Sequence, residues 1–164
     1  MKRLVTICLP FTLGACAFAP APAALADGTV MHGSATEVST GGSCTLLKKD
    51  AAGALYSCPS TDVISGSLNG PESSSELLWE PAGTTALYFA GITTCTCTVD
   101  DPSGTPHSGT LVYAVVGSGS TSSPAFSGRF RILQGTGGLA NLRGYGTFVA
   151  TNSGGTFSTT LWFA

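Results

Sequence analysis

Clusters of turn-forming residues break this sequence at short intervals. Glycine, proline, serine, asparagine and aspartate concentrate at eight places between positions 41 and 155, and short apolar or β-branched runs separate them. Several short strands at this spacing are typical of an all-β sandwich or barrel, because each turn reverses the chain after one strand. The predicted strands span residues 29–38, 44–48, 54–58, 62–67, 85–92, 94–99, 109–117, 126–133, 143–151 and 155–163.

Helices have little support in the sequence. Helical periodicity does not extend beyond two turns, and only residues 73–80 (SSSELLWE) predict a single capped helical turn. Charged residues make up 10% of the chain, against roughly 25% in an average soluble domain, and glycine occupies 22 positions. This composition favours sheet and turn, while the 43% of hydrophobic residues still supply a core.

The C-terminal residues form the clearest local pattern, a β-hairpin. Residues 145–151 and 156–163 flank the turn 152–155, and Phe157 and Leu161 share one face of the second strand at a period of two. A strand that ends a chain needs a partner, and a closed barrel supplies one by pairing it with an earlier strand. The hairpin therefore favours a closed barrel.

Residues 1–26 have the three-part layout of a secretory signal peptide. Two basic residues precede a mostly apolar run, and a Pro/Ala stretch follows, so cleavage is expected between Ala26 and Asp27. A membrane anchor is disfavoured, because the apolar run is shorter than the ~20 residues of a span and contains a proline. Residues 13–16 (LGAC) also resemble a bacterial lipobox, so a lipid anchor on Cys16 is the alternative route.

Residues 27–164 are long enough for one domain of ordinary size, and they are predicted to form a single β-barrel domain. Two of the seven basic residues fall in the predicted signal peptide, so five face nine acidic residues and the formal net charge beyond it is −4. This balance argues against a nucleic-acid partner, and a basic amphipathic stretch that could hold an anionic membrane is lacking. The processed protein is expected to be secreted, periplasmic or in the cell envelope, without a transmembrane span.

Four cysteines follow the predicted signal peptide, and an even number in an exported chain predicts disulfides. Cys95 and Cys97 would lie on one face of a strand, where a bond between them distorts an extended backbone. Bonds from Cys44 and Cys58 to that pair are the preferred arrangement, and a Cys44–Cys58 bond with the other pair reduced or strained is the alternative. Structural zinc needs four cysteine or histidine ligands, and the two histidines stand alone, so we predict no metal site.

Residues 126–148, FSGRFRILQGTGGLANLRGYGTF, form the most distinctive stretch. A strand enters a glycine-rich turn at residues 135–138, where glycine adopts positive φ without strain, and two leucines can then fill one end of a barrel. The part GTGGLANLRGYGTF resembles a stretch of dirigent proteins and of the allene oxide cyclase barrel superfamily, and most of all that of related bacterial secreted proteins. The upstream segment 97–113, CTVDDPSGTPHSGTLVY, is similar to a hairpin of these bacterial proteins.

The resemblance covers somewhat under half of residues 27–164. It implies a closed antiparallel β-barrel of about eight strands with a short plug turn at one end and a small apolar cavity, and some relatives are homo-oligomers. Relatives that act as cyclases hold a reactive hydrophobic intermediate among a few polar groups, but those groups lie outside the matched stretch, so catalytic residues are not carried over. Arg143 is expected to form a salt bridge or to cap carbonyls at the barrel end. The architectural positions of the turn are Gly135, Gly137, Gly138, Leu139, Leu142, Arg143 and Gly144.

The sequence contains no recognisable catalytic motif. His32 and His107 lie in Ser/Gly/Pro-rich surroundings typical of surface loops, and no G-x-S-x-G nucleophile motif occurs. Asp100 and Asp101 lie in a Pro/Gly turn, where aspartate accepts backbone hydrogen bonds. Catalytic residues and cofactors are therefore not predicted.

Three roles fit these observations. The first is a barrel that binds a small apolar ligand or a surface partner without catalysis, and the second is an isomerase or cyclase that confines a reactive hydrophobic substrate. The third is a structural envelope component. A cavity above roughly 300 Å³ with an inward-facing ionisable residue would favour chemistry, and a filled interior would favour a binding or structural role. The predicted ligand-binding residues at the mouth are Tyr88, Tyr113, Tyr145 and Trp162.

Overall fold

The computed structural model describes residues 28–164, which form nine antiparallel strands and one short 3-10 helix. The predicted signal peptide and the lipobox with Cys16 lie outside the described residues. The elements are β1 (Met31–Gly42), β2 (Thr45–Asp50), β3 (Gly53–Gly66), β4 (Gly70–Pro81), β5 (Ala86–Asp100), β6 (Pro106–Ser120), β7 (Ser123–Gly135), the 3-10 helix (Gly137–Leu139), β8 (Leu142–Thr151) and β9 (Gly154–Phe163).

Eight of the strands close into a ring. From β3 to β9 each strand pairs with the next along the chain, and β1 pairs with β9 on one edge and with β3 on the other. β2 stays outside the ring, because it pairs with the first half of β3 whereas β1 pairs with the second half. Closure gives every strand of the ring a partner on both edges. The prediction of an all-β, closed antiparallel barrel of about eight strands is confirmed.

At residues 73–80 the predicted helical turn is wrong. These residues belong to β4, which pairs with β3 on one edge and with β5 on the other. Hydrogen bonds to two neighbouring strands outweigh a single helical turn, which is unstable by itself. Both β3 and β5 also join pairs of runs that the sequence predicts as separate strands. Within residues 28–164, no helix is long and apolar enough to cross a membrane.

The 3-10 helix plugs one end of the barrel, as predicted. Gly137 begins it with a φ of +60°, and the side chains of Leu139 and Leu142 are fully buried. Arg143 donates hydrogen bonds from Nη1 to the carbonyl oxygens of Ala140 (3.1 Å) and Leu142 (2.9 Å), so it caps carbonyls at this end. The other glycines of the segment lie at the end of β7 (Gly135), inside the 3-10 helix (Gly138) and in β8 (Gly144). The apolar core around the plug includes Leu68, Val99, Leu111 and Leu161.

Phenylalanine rings pack over glycines on neighbouring strands. In register, Phe148 lies opposite Gly128, and Phe130 lies opposite Gly146. A Cβ added to Gly128 would come within 2.6 Å of Cζ of Phe148, well inside the ~3.5 Å at which carbon atoms pack. Glycine on the strand therefore makes room for the ring on its neighbour.

The disulfide pattern differs from the preferred prediction. Cys44, between β1 and β2, is bonded to Cys58 of β3 with an S–S distance of 2.05 Å. Cys95 and Cys97 share the inward face of β5, as predicted, and are bonded to each other. The preferred bonds between the two pairs are wrong, because Cys44 and Cys58 lie at the rim of the barrel's open end whereas Cys95 and Cys97 are buried in the core.

Candidate ligand-binding cavity

The end of the barrel opposite the plug contains a cavity of about 520 Å³. Its rim includes residues 41–44, Pro59 and residues 151–152. Ligand pockets in proteins range from about 300 to 1,000 Å³, so this cavity is large enough for a small organic molecule. The interior of the barrel is therefore filled at the plugged end and empty at the other.

Three adjacent strands give the cavity an acidic wall. Glu37 of β1, Asp62 of β3 and Glu76 of β4 line it, and Glu72 lies four residues before Glu76 on the same face of β4. Asp62 and Glu72 are directly opposite in register, and their side chains are 6% and 4% exposed. Ser60 donates a hydrogen bond to Asp62 Oδ2 over 2.7 Å. Like charges opposite each other on neighbouring strands are destabilising, so this wall lowers the stability of the fold.

The facing strands give the cavity an apolar, mainly aromatic wall. Phe89 of β5 and Phe126 of β7 meet edge to face with ring centroids 5.7 Å apart, and Phe148 of β8 stacks on Phe157 of β9 at 5.3 Å. Val115 lies on β6, the strand between those of Phe89 and Phe126, and also lines the cavity. The cavity thus has two chemically different sides, one of carboxyl groups and one of phenyl rings.

Tyr113 is a polar residue of the cavity lining, and Glu72 lies beside its hydroxyl, outside the set of residues that line the cavity. Tyr113 lines it from β6, and its hydroxyl donates a short hydrogen bond to Glu72 Oε1. The other oxygen of Glu72, Oε2, is buried and accepts no hydrogen bond from the described residues. A buried carboxylate oxygen without a donor costs free energy, so Glu72 is only half satisfied by the protein.

Burial raises the pKa values of three of these carboxyl groups. The pKa of Glu37 rises from 4.5 to about 8, through burial first and then through the negative charges of Asp62 and Glu72. Burial likewise raises the pKa of Glu72 and of Glu76 to about 7, with a further contribution from Asp62. Lysine, arginine and histidine are missing from the part of the cavity lining that the structure describes. Because the pKa values of Glu37, Glu72 and Glu76 lie near neutral pH, each of these carboxyl groups can gain or lose a proton there, as a general acid or base must.

Glu72, Cys95 and Cys97 are the described residues that come closest to a metal site. Their potential ligand atoms lie within 4.8 Å of one another, and all three residues are buried. The two sulfur atoms are bonded to each other and so are not thiolates, the form that binds metals. Three positions are also fewer than the four that a structural zinc site uses.

The structure places the four predicted ligand-binding residues in different surroundings. Tyr113 lines the cavity. Tyr88 and Tyr145 are about half exposed on the outer face of the barrel, where the alternation of strand residues turns them away from the cavity. Trp162 contacts Tyr145 with ring centroids 6.1 Å apart, so it lies on that outer face too.

Sequence reasoning missed the acidic wall. Glu76 lies in the segment that resembled a helical turn, and Glu72 lies directly before it, so their shared face could not be recognised. A period of two across residues 70–81 is the signal that could have grouped them. Glu37 and Asp62 lie on other strands, and only the register of the barrel brings them near β4.

A second cavity, of about 420 Å³, lies at the plugged end beside Asp101, His107 and Phe163. Nε2 of His107 is 3.2 Å from Oδ2 of Asp101, and its ring centroid is 4.7 Å from that of Phe163. Hydrogen bonds from Ser103, from the Thr105 amide and from His107 hold the pKa of Asp101 well below its ordinary value. The Asp101 carboxylate thus accepts hydrogen bonds within its own turn, as the sequence predicts for an aspartate in this segment.

Comparison with known proteins identifies the family. The model of a family described as "Protein of unknown function (DUF3224)" matches residues 37–162. The crystal structure of a DUF3224 protein with unknown function from Shewanella oneidensis MR-1 has a TM-score of 0.60 at 14% identity, covering 84% of this chain and 98% of that chain, which shows a shared fold. No curated protein matches this sequence, and the resemblance to dirigent proteins and allene oxide cyclases stays a prediction. Because the family match spans most of the barrel, the chain belongs to the DUF3224 family.

Proposed function

We propose that this protein binds a small amphipathic ligand inside the barrel, with the apolar part against the phenyl rings and a polar head at the carboxyl groups. The observation that carries the proposal is the two-sided cavity of about 520 Å³. The sequence predicts a ligand that is simply apolar, and the acidic wall adds a polar end to that ligand. Ligand pockets of this kind combine a mostly apolar lining with a few placed polar groups.

The energetic cost of the acidic wall supports a functional role. Glu37, Glu72 and Glu76 all have raised pKa values, so each of them destabilises the fold once it is ionised. A barrel with only a structural role would be more stable with apolar side chains at these positions. Side chains that cost stability are commonly kept where function needs them.

Blocking the cavity tests the proposal. Ala150 lines it from β8, so Ala150→Trp should fill part of it and weaken binding of the neutral dye N-phenyl-1-naphthylamine about tenfold or more. The neighbouring Val149 is 60% exposed on the outer face, so Val149→Trp is the matched control and should bind like the wild type. Dye fluorescence measures affinity, circular dichroism checks folding, and Ala150→Phe serves if the larger variant misfolds. Equal binding by all variants, or no binding by the wild type, contradicts the proposal.

An isomerase or cyclase is the second candidate function. It is favoured by carboxyl groups with pKa values of about 8 at Glu37 and about 7 at Glu76, both lining a cavity larger than roughly 300 Å³. An ionised carboxylate can take a proton from a carbon atom of an enclosed substrate while a neutral carboxyl returns one at another atom, without net oxidation or reduction.

Conversion of 3-cyclohexen-1-one to its conjugated isomer tests this second function. The absorbance of the product should rise faster with wild-type protein than with the same concentration of acetate. Glu37→Gln and Glu76→Gln should each lower the rate about tenfold or more, and Asp100→Asn, an exposed carboxyl at the plugged end, should not. A rate no greater than that of acetate would rule out this chemistry for ketones.

The compartment is part of the proposal. The Cys44–Cys58 bond is compatible with a protein outside the cytoplasm. Export through residues 1–26 would release the barrel, whereas the alternative route would anchor it by lipid at Cys16. Intact-mass spectrometry of the protein from an exporting bacterial host distinguishes an N-terminus at Asp27 from a lipidated Cys16. Native mass spectrometry of the same sample would also report a homo-oligomer.

A further inference from the structure

We propose that the polar head of the ligand is an organic cation, a protonated amine or a quaternary ammonium group, held between the carboxyl groups and the phenyl rings. This inference rests on the proposed function, since it names the class of ligand for the same cavity.

The first support is the imbalance of charge inside the barrel. Carboxyl groups from β1, β3 and β4 converge on one side of the cavity, and Asp62 and Glu72 face each other in register. Among the described residues that line the cavity, none carries a positive charge. Opposite charge within a few ångströms favours the ionised form of a carboxyl group, so a cationic head would relieve the repulsion that the protein itself leaves in place.

The second support is the unsatisfied oxygen of Glu72. This side chain is 4% exposed, and the Tyr113 hydroxyl occupies only Oε1. Oε2 accepts no hydrogen bond from any residue in the described part of the chain. Besides Tyr113, the described donor to this carboxyl group is the neutral carboxyl of Glu37, which loses its proton on ionisation. An ammonium group carries up to three N–H donors and would replace it.

The aromatic wall makes an organic cation a better fit than a metal ion. Phe89, Phe148 and Phe157 line the cavity with phenyl rings, which have no oxygen ligands to offer a metal ion. The face of such a ring attracts an ammonium group. Calcium and magnesium take six or more oxygen ligands at short distances, which a cavity with carboxyl groups on one side only does not provide. The empty volume beside the acidic wall also matches an apolar body attached to the charge.

Three ligands with the same chain and different heads test the inference. Decylamine, decan-1-ol and decanoate carry a positive, neutral and negative head, and their affinities can be measured by displacement of N-phenyl-1-naphthylamine. The amine should bind about tenfold or more tightly than the alcohol, and the carboxylate should bind most weakly. An excess of calcium chloride should not displace the amine.

The preference should depend on pH. Glu37, Asp62, Glu76 and Tyr113 line the cavity, and Glu72 lies beside the Tyr113 hydroxyl. Burial raises the pKa of Glu37, Glu72 and Glu76. An alkylamine stays protonated up to about pH 10, so the ratio of amine to alcohol affinity should rise from about pH 6 to about pH 9. A ratio that falls over this range would overturn the inference.

Charge-removing variants complete the test. Glu76→Gln and, separately, Glu37→Gln should lower the ratio of amine to alcohol affinity about tenfold. Asp100→Asn removes the same charge from an exposed position at the plugged end and should leave the ratio unchanged. Equal affinity for amine and alcohol overturns the inference but leaves the proposed function standing. Failure of all three ligands and of the dye to bind overturns both.

Discussion

At the scale of single residues, the buried carboxyl groups set the balance between stability and function. Glu72 and Glu76 lie where water is scarce and other carboxyls are near, so each favours its neutral form. A group whose pKa is raised by folding binds more protons in the folded state than in the unfolded one. Its contribution to stability is fully present below the unfolded pKa and is lost as the pH rises through the folded value.

Glu76→Gln should therefore change stability in a pH-dependent way. The pKa of Glu76 rises from 4.5 to about 7, so the wild type loses more stability across this window than the variant, in which only Glu37 and Glu72 still contribute such a loss. Urea denaturation should give equal free energies of unfolding at about pH 4 and an advantage for Glu76→Gln of roughly 1–3 kcal/mol at about pH 8. Glu76→Asp keeps a carboxyl group and is the control, because its free energy of unfolding should still fall between about pH 4 and about pH 8. A variant that is equally destabilised at both pH values would show that the side chain has another role.

Tyr113→Phe should be destabilising because it removes the hydroxyl that donates to Glu72. A carboxyl group that is 4% exposed would then lose the donor to its Oε1 oxygen, while Oε2 already has no hydrogen-bond partner within range. The free energy of unfolding at about pH 8 should fall by roughly 1–3 kcal/mol. Tyr145→Phe, at a position that is 53% exposed, is the matched control and should change it by less than about 0.5 kcal/mol. Equal effects of the two variants would contradict this role of the hydroxyl.

At the scale of elements, the break between β1 and β2 is held by the Cys44–Cys58 bond. β1 and β2 pair with different halves of β3, and the bond ties the junction between them to β3 at the cavity rim. A disulfide restricts the unfolded chain more when it closes a longer loop. The Cys95–Cys97 bond spans two positions, so it restricts far less.

Replacing Cys44 and Cys58 together by serine should lower stability. The bond spans 14 positions, and a loop of about this length is worth about 3 kcal/mol. Thermal unfolding of the oxidised wild type and of the double variant measures the difference. Adding a reductant should lower the midpoint of the wild type more than that of the variant, and the opposite order would contradict this pairing.

At the scale of the whole molecule, stability depends on closing the ring. β1 joins β9 to β3, so it connects the end of the described chain to its beginning. Such pairings between distant residues give the barrel its two-sided cavity, because they bring the acidic strands opposite the phenylalanine-rich strands. A change that breaks the ring of strands should therefore destabilise the whole barrel and not one strand alone.

A proline in β1 tests this dependence. Thr36 pairs with Ser65 on one side and with Thr156 on the other, so Thr36→Pro should lower the free energy of unfolding by about 3 kcal/mol or more. Leu47 lies in β2, outside the ring, at a bulge where it has no paired residue, so Leu47→Pro is the control with a small effect. Far-UV circular dichroism during urea unfolding measures both. A Thr36→Pro variant with the wild-type midpoint would show that closure is dispensable.

The sequence predicts much of the fold because turns and alternation are local. The glycine-rich turn at 135–138 and the apolar faces of the C-terminal hairpin follow from the preferences of neighbouring residues. The prediction for residues 73–80 failed because strands on both sides of β4 override a weak local preference. The preferred prediction of the disulfide pairing failed for a related reason. Which cysteines lie close enough to bond depends on their positions along the closed barrel.

By itself, the sequence determined most of the strands, the turns and the closure that the last strand requires, because these depend on patterns within short segments. Only the tertiary structure decided the site. Glu37, Asp62 and Glu76 come from three strands, and strand register alone determines that they share one wall opposite the phenyl rings. Register depends on pairing between distant segments, and a shift of one residue would turn these side chains to the outside.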